Sequence, residues 1–240
     1  MVVFPHCKIN LGLHVAGKRP DGFHDIHTCF YPIPFTDVLE IIPAETFSVS
    51  FSGRTIPGNP DENLIVRAYQ LLKKDLGIPP VKMHLHKCIP AGAGLGGGSS
   101  DGAFVLRMLN AIFDLELSSE RLIHYAGQLG SDCAFFLQDD PKSGKGKGDE
   151  LEELAIDLRG KFLVLVMPGI HISTASAYNS IVPSRPGMLP DQVVKQYPVS
   201  QWRDLLKNEF EVPVFREQRQ IEEIRGKLYE GGALYASMSG

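Results

Sequence analysis

Nowhere in the 240 residues do eighteen apolar residues run together, which excludes an obvious membrane-spanning helix. The N-terminus, Met-Val-Val-Phe-Pro-His-Cys-Lys-Ile-Asn, lacks the basic start and apolar stretch of a signal peptide. Cysteine is scarce and scattered: Cys7, Cys29, Cys88 and Cys133 form no C-x-x-C pair, so neither a zinc knuckle nor a redox pair is expected. Reduced thiols and the missing leader pattern together predict a cytoplasmic protein. Basic charge is not in excess either, with 24 Lys and Arg against 28 Asp and Glu and a formal net charge of −4. No field advertises a nucleic-acid or membrane partner, so any phosphate site must be local. There is no internal repeat. The 43% hydrophobic content over this length suffices for a sizeable core, in one large domain or two small ones.

What is present centres on one loop, Pro90-Ala91-Gly92-Ala93-Gly94-Leu95-Gly96-Gly97-Gly98-Ser99-Ser100. A strand-like run over 81–89 leads in, and a helical pattern with Val105, Leu106, Leu109 and Ile112 on one face leads out. Glycines let backbone amides approach a ligand closely, and a helix start favours an anion, so phosphate is the expected occupant. Ser99, Ser100 and Asp101 are suitable N-cap types, and the two hydroxyls are placed to reach a phosphate oxygen. Gly92, Gly94 and Gly97 formally satisfy G-x-G-x-x-G, but no second parallel strand ending in an acidic residue follows the helix, as a dinucleotide fold requires. The loop also ends without the Gly-Lys-Ser/Thr of a Walker A motif. Taken alone, it remains compatible with a plain glycine turn.

Elsewhere, residues 7–15 alternate, with Ile9, Leu11, Leu13 and Val15 on one side and Lys8, Asn10, Gly12 and His14 on the other. Lys8 and Asn10 share a polar face about 6.5 to 7 Å apart along a strand. The turn at 17–22 leads into Phe23-His24, a pair suited to a flat ring through stacking and a hydrogen bond, or equally to a packed loop. Strands are expected at 37–42 and 47–51, then an amphipathic helix at 63–76 capped by Asp61 or Asn63. A helix is expected over 118–129. Beyond it, Asp132 stands at the edge of an apolar run, where a carboxylate needs a partner unless it caps a turn. The Gly/Lys segment 143–149 reads as a flexible loop able to close over phosphates, or as a linker. The apolar run 161–167 reads as a buried strand, 173–178 as the start of a short helix, and the segments near 202–206, 210–215 and 221–228 as helices.

Lys8-Ile9-Asn10-Leu11-Gly12-Leu13, Asp21-Gly22-Phe23-His24, Asp61-Glu62-Asn63-Leu64, Gly94-Leu95-Gly96-Gly97-Gly98-Ser99-Ser100-Asp101 and Gly130-Ser131-Asp132 occur in that order. Together they resemble the GHMP kinase superfamily; the Lys-Ile-Asn strand and the Asp-Gly-Phe-His turn narrow the resemblance to the branch acting on cytidine diphosphate methylerythritol. The resemblance implies an α/β (α+β) fold, with an N-terminal ATP-binding domain over residues 1–155 and a ferredoxin-like C-terminal domain over 156–240. It implies ATP, with Mg2+, as phosphoryl donor, a small-molecule substrate, and a monomer or weak homodimer. Carried across, Asp132 is the catalytic base and Lys8 its charged partner. Asn63 lies near the adenine or ribose, and residues from Pro90 to Ser100 wrap the triphosphate. Asn10 contacts the substrate, Phe23 and Tyr178 sandwich the cytosine, His24 bonds its edge, and Thr174 touches the methylerythritol end. Lys147 departs from the aliphatic residue usual in this family. The chain stops at Ala236-Ser237-Met238-Ser239-Gly240, where the superfamily's third motif continues into Ser-Gly-Ser, a strand and a helix, and so it reads as apparently truncated. The alternatives are another small-molecule kinase of the superfamily, or a catalytically silent nucleotide or sugar sensor on the same fold.

Overall fold

The computed structural model describes residues 1–170, 172, 177–178, 180–181 and 187–240. The chain forms two compact units, each assembled from two segments: residues 1–8 with 32–139, and residues 9–31 with 140–240. The chain passes between them within two long strands, β2 (His6–Lys18) and β3 (His24–Thr36).

The first unit holds a four-stranded sheet built from β1 (Val2–Val3), β4 (Val38–Pro43), β5 (Ser48–Gly53) and β6 (Val81–Lys87), in the order β1-β4-β6-β5. β5 and β6 run parallel, from Ser48 opposite Lys82 to Gly53 opposite Lys87, and α1 (Leu64–Leu76) makes the crossover that a parallel pair needs. Asn63 caps α1 by accepting the Ile65 amide at 3.1 Å, and Gly77 ends it in the left-handed conformation (φ 66°). The expected cap is therefore present. α2 (Gly97–Ile112) and α3 (Ser119–Leu129) complete the unit. Its core gathers Leu39 and Ile41 of β4, Met83 and Leu85 of β6, Ile65 and Leu72 of α1, and Val105 and Leu109 of α2, all 0% exposed. One sequence expectation shifts here: α2 begins at Gly97 behind a left-handed Gly96, so Ser99, Ser100 and Asp101 lie inside the helix rather than capping it. Glycine supplies the left-handed residue at that corner without a Cβ penalty.

The second unit takes its sheet from β2, β3, β7 (Lys142–Lys145) and β8 (Glu150–Glu153), in that order. The Gly/Lys segment expected to be a flexible loop is thus a hairpin, with β7 paired both to β3 (Cys29 opposite Ser143) and to β8. The helices that follow, among the described residues, include α4 (Pro190–Gln196), α5 (Trp202–Leu205), α6 (Glu211–Glu217) and α7 (Arg219–Glu230). One cluster packs Leu11, Cys29, Val193, Trp202 and Leu206; another packs Leu13, Val15, Ile26, Phe210 and Phe215. The run expected to be a buried strand is neither buried nor in a strand: Phe162 is 101% exposed and Val164 69%. An apolar run says that a segment can be buried, but burial needs a partner, and its periodicity names none.

Candidate active site

The glycine loop belongs to the first unit, between β6 and α2. Gly92, Gly94 and Gly96 all have positive φ, at 73°, 70° and 68°, whereas the alternating Ala93 and Leu95 do not. Alternation of left-handed and ordinary residues is the backbone pattern from which anion-binding nests are built, and here it runs directly into the N-terminus of α2. The loop is tied to β2 by the Lys8 amide, which donates to the Leu95 carbonyl at 3.0 Å. A Cβ on Gly96 would stand 2.7 Å from the Phe136 ring and 3.2 Å from Lys8 Cε, so the loop, the lysine and the phenylalanine are in close packing.

That lysine side chain is 4% exposed, and its Nζ lies 3.5 Å from Asp132 Oδ2. Asp132 precedes a short 3-10 turn, Cys133–Leu137, whose Phe135 and Phe136 are buried. Its carbonyl receives the Phe135 amide, but its carboxylate makes no cap hydrogen bond. The cap explanation of this aspartate therefore fails; its carboxylate, 31% exposed, faces Lys8 beside the loop. A buried ammonium and a part-exposed carboxylate, both against a phosphate cradle, are the groups that phosphoryl transfer to an alcohol requires.

A pocket of about 450 Å³ opens in the same unit, lined by Phe51, Thr55, Pro57, Asn63 and Gly98 among others. Asn63 thus borders both the start of α1 and a cavity adjoining the first turn of α2. Among the described residues no cluster of three His, Cys, Asp or Glu side chains is arranged to hold a metal ion. Burial pushes the thiols of Cys7 and Cys133 up to about 11 and that of Cys29 up to about 12, so these cysteines keep their protons at neutral pH.

In the second unit, His24 and Tyr178 stack with ring centroids 4.7 Å apart at 15°, and Tyr178 meets Phe210 edge-on at 4.8 Å. Phe23 is 58% exposed, with Lys147 Nζ 5.1 Å from its ring centroid. Asn10 is buried, its amide nitrogen donating to Thr28 Oγ1 at 3.0 Å and its backbone N–H to Ser239 Oγ at 3.1 Å. Thr28 Oγ1 donates in turn to the Gly12 carbonyl at 2.6 Å. Thr174 lies outside the described residues.

A cluster of three residues escaped the sequence reading, which took Asp101 only as an N-cap type. Lys87 ends β6, and its ammonium is held by Asp37 and, at 2.7 Å, by Asp101 Oδ2. Both carboxylates are buried with it. The signal was in the strand pattern, because Val81, Met83, Leu85 and Lys87 occupy one buried register and only the last is charged.

The fold, the loop and the Lys8–Asp132 pair define a small-molecule kinase of the GHMP type, and residues 63–139 match the family model for the N-terminal domain of GHMP kinases. Over 244 residues the chain is 46% identical to the 4-diphosphocytidyl-2-C-methyl-D-erythritol kinase of Bacteroides fragilis, covering 100% of this chain and 89% of that protein. The namesake from Cytophaga hutchinsonii is 46% identical over 241 residues, with the same coverage. A crystal structure of 4-(cytidine 5'-diphospho)-2C-methyl-D-erythritol kinase superposes with a TM-score of 0.83 at 32% identity, covering 100% of this chain and 87% of that one. The chain belongs to the 4-diphosphocytidyl-2-C-methyl-D-erythritol kinase family.

Proposed function

We propose that this protein transfers the γ-phosphoryl group of ATP to the 2-hydroxyl of 4-diphosphocytidyl-2-C-methyl-D-erythritol, a step in the non-mevalonate route to isoprenoid precursors, in the cytoplasm. The carrying observation is the Lys8–Asp132 pair, 3.5 Å apart and packed against a loop of left-handed glycines. Asp132 takes the proton from the attacking hydroxyl, while Lys8 holds the carboxylate in place and offsets negative charge as the phosphoryl group moves. The amides of residues 92–97 receive the phosphates, and the pocket beside Asn63 receives the adenosine. Mg2+ would come with the phosphates of ATP and would supply charge neutralisation there, beside the loop amides and Lys8. The cytosine rests against the exposed Phe23 ring and the His24–Tyr178 stack, and Asn10 contacts the substrate, as does Thr174 by the family resemblance.

The test is turnover of the purified full chain with ATP and the cytidyl substrate, read as ADP release and as a new phosphomonoester by phosphorus NMR. Equal amounts of the two products are expected, with inhibition by CDP. Asp132→Asn should lose about 10²- to 10⁴-fold in kcat while keeping its unfolding temperature. Preference for mevalonate or homoserine as acceptor, or an Asp132→Asn variant with near-normal kcat, would overturn the reading.

A further inference from the structure

The glycine loop stands on a buried charge cluster that the proposed reaction does not use. Asp37, in the one-residue break between β3 and β4, accepts the amides of Cys88 and Ile89 through Oδ1 at 2.6 and 2.8 Å. Those are the residues by which the chain enters the loop. Asp101 is the fifth residue of α2, just past the first turn by which the chain leaves the loop. Lys87 joins the two, donating to Asp37 Oδ2 and, at 2.7 Å, to Asp101 Oδ2. All three side chains are no more than 3% exposed. The lysine also touches the loop directly: a Cβ on Gly97 would lie 3.0 Å from Lys87 Nζ and 2.8 Å from Ile89 Cγ2. One carboxylate therefore fixes the loop's entry, the other its exit, and a single ammonium sets the distance between them.

We infer that Lys87, Asp37 and Asp101 are positioning residues for nucleotide binding, a three-residue staple that holds the loop amides in their phosphate-binding geometry. The inference rests on the reading of the loop as the nucleotide site. Burying three charged groups costs stability unless they serve another purpose, since such clusters are commonly replaced by apolar residues with no loss. Here the cluster is anchored to backbone on one side and packed under Gly97 on the other, so its geometry passes straight to the loop.

The cluster also has a defined charge. Burial, opposed by Lys87 and reinforced by Asp37, pushes the Asp101 carboxyl up to about 8. Lys87 of β6 and Asp37 are the charged groups facing it, while Leu64 from the start of α1 and Leu129 of α3 pack against the next residue, Gly102. Ionisation of Asp101 as pH rises through that range adds a negative charge to the staple, beneath a site for polyphosphate.

The experiment is calorimetric titration of the full chain with ADP alone, from pH 6.5 to 9.5, with CDP as a second probe. Wild-type protein should bind ADP, and its affinity should fall about threefold to tenfold between pH 7 and 9.5. Asp101→Asn, neutral at every pH, should lose this pH dependence and bind ADP with a flat profile, whatever its affinity at pH 7. Lys87→Met should weaken ADP binding at least tenfold at pH 7 and leave CDP binding within twofold. If Lys87→Met does not fold, the double variant Lys87→Met/Asp101→Asn, which removes a carboxylate together with the ammonium, carries the same expectation. A folded lysine variant that binds ADP within twofold of wild type, or a wild-type pH profile as flat as that of Asp101→Asn, would overturn the inference. Wild-type protein that binds no ADP would instead overturn the nucleotide-site reading beneath it.

Discussion

Gly96→Ala adds one methyl group at the point where loop, lysine and aromatic ring meet. Residue 96 has φ 68°, a region that costs an L-residue about 1–2 kcal/mol. The new Cβ would stand 2.7 Å from Phe136 Cζ and 2.9 Å from Cε2, inside contact distance of a ring that is 0% exposed and cannot swing into solvent. Overpacking of this kind costs about 1–3 kcal/mol. Together the loss is about 2–5 kcal/mol, a large share of the roughly 5–15 kcal/mol of a typical domain. Lys8 Cε, at 3.2 Å, is the softer neighbour and gives way first. Its displacement separates Nζ from Asp132, and a misplacement of about 1 Å is worth about a hundredfold in rate. Urea unfolding measures the first effect, and kcat under conditions where the variant stays folded measures the second. A variant as stable as wild type would refute the packing argument, and one destabilised but with unchanged kcat would refute the link from Gly96 through Lys8 to catalysis.

Asn63→Ala removes the acceptor for the Ile65 amide and should cost about 0.5–2 kcal/mol in urea unfolding, with Asn63→Asp close to wild type. Phe23→Ala should raise KM for the cytidyl substrate and leave KM for ATP unchanged, because Phe23 is exposed and supports no core; steady-state kinetics with each substrate varied decides it. Asp101 holds its proton to about pH 8 in the fold but only to about 4 when unfolded. The folded chain thus binds the extra proton between those values, and the stability it confers falls as pH rises toward 8. Thermal unfolding at pH 6 and pH 9 should show a larger drop for wild type than for Asp101→Asn, and equal drops would remove Asp101 as the cause.

Local signals were legible and non-local ones were not. The strand, glycine loop and helix around residue 90 could be read because glycine content and helical spacing are properties of a short window, and Asn63 could be read because its cap bond spans two residues. Asp132 was suspect from its apolar surroundings alone, but its partner Lys8 lies 124 positions away, and only the family resemblance joined them before the structure did. Nothing joined Asp37, Lys87 and Asp101: Asp101 was legible only as a helix-start residue of the glycine motif, Asp37 and Lys87 are ordinary in their own windows, and the cluster exists only because β6, the β3–β4 junction and α2 converge. The segment 143–149 misled for the opposite reason, since its glycines and lysines suggest a flexible loop, while pairing of β7 with β3 and with β8 makes it part of a hairpin. For 162–167 the composition was right for a strand and silent on whether one would find a neighbour.

The interleaving of the two units bears on synthesis. The first unit comprises residues 1–8 and 32–139, so all of it has left the ribosome once residue 139 is clear, well before the second unit's residues 140–240 are available. Residues 9–31 emerge early but belong to the late unit. They must wait as a loop pinned at both ends, at Lys8 and Pro32, carrying Leu11, Leu13, Val15 and Ile26 with nothing yet to bury them. At about 5–20 residues per second, that wait lasts about 5–20 seconds. During it Lys8 and the glycine loop of the first unit are already assembled, and the apolar residues of the unfinished second unit are the nascent chain's most vulnerable surface.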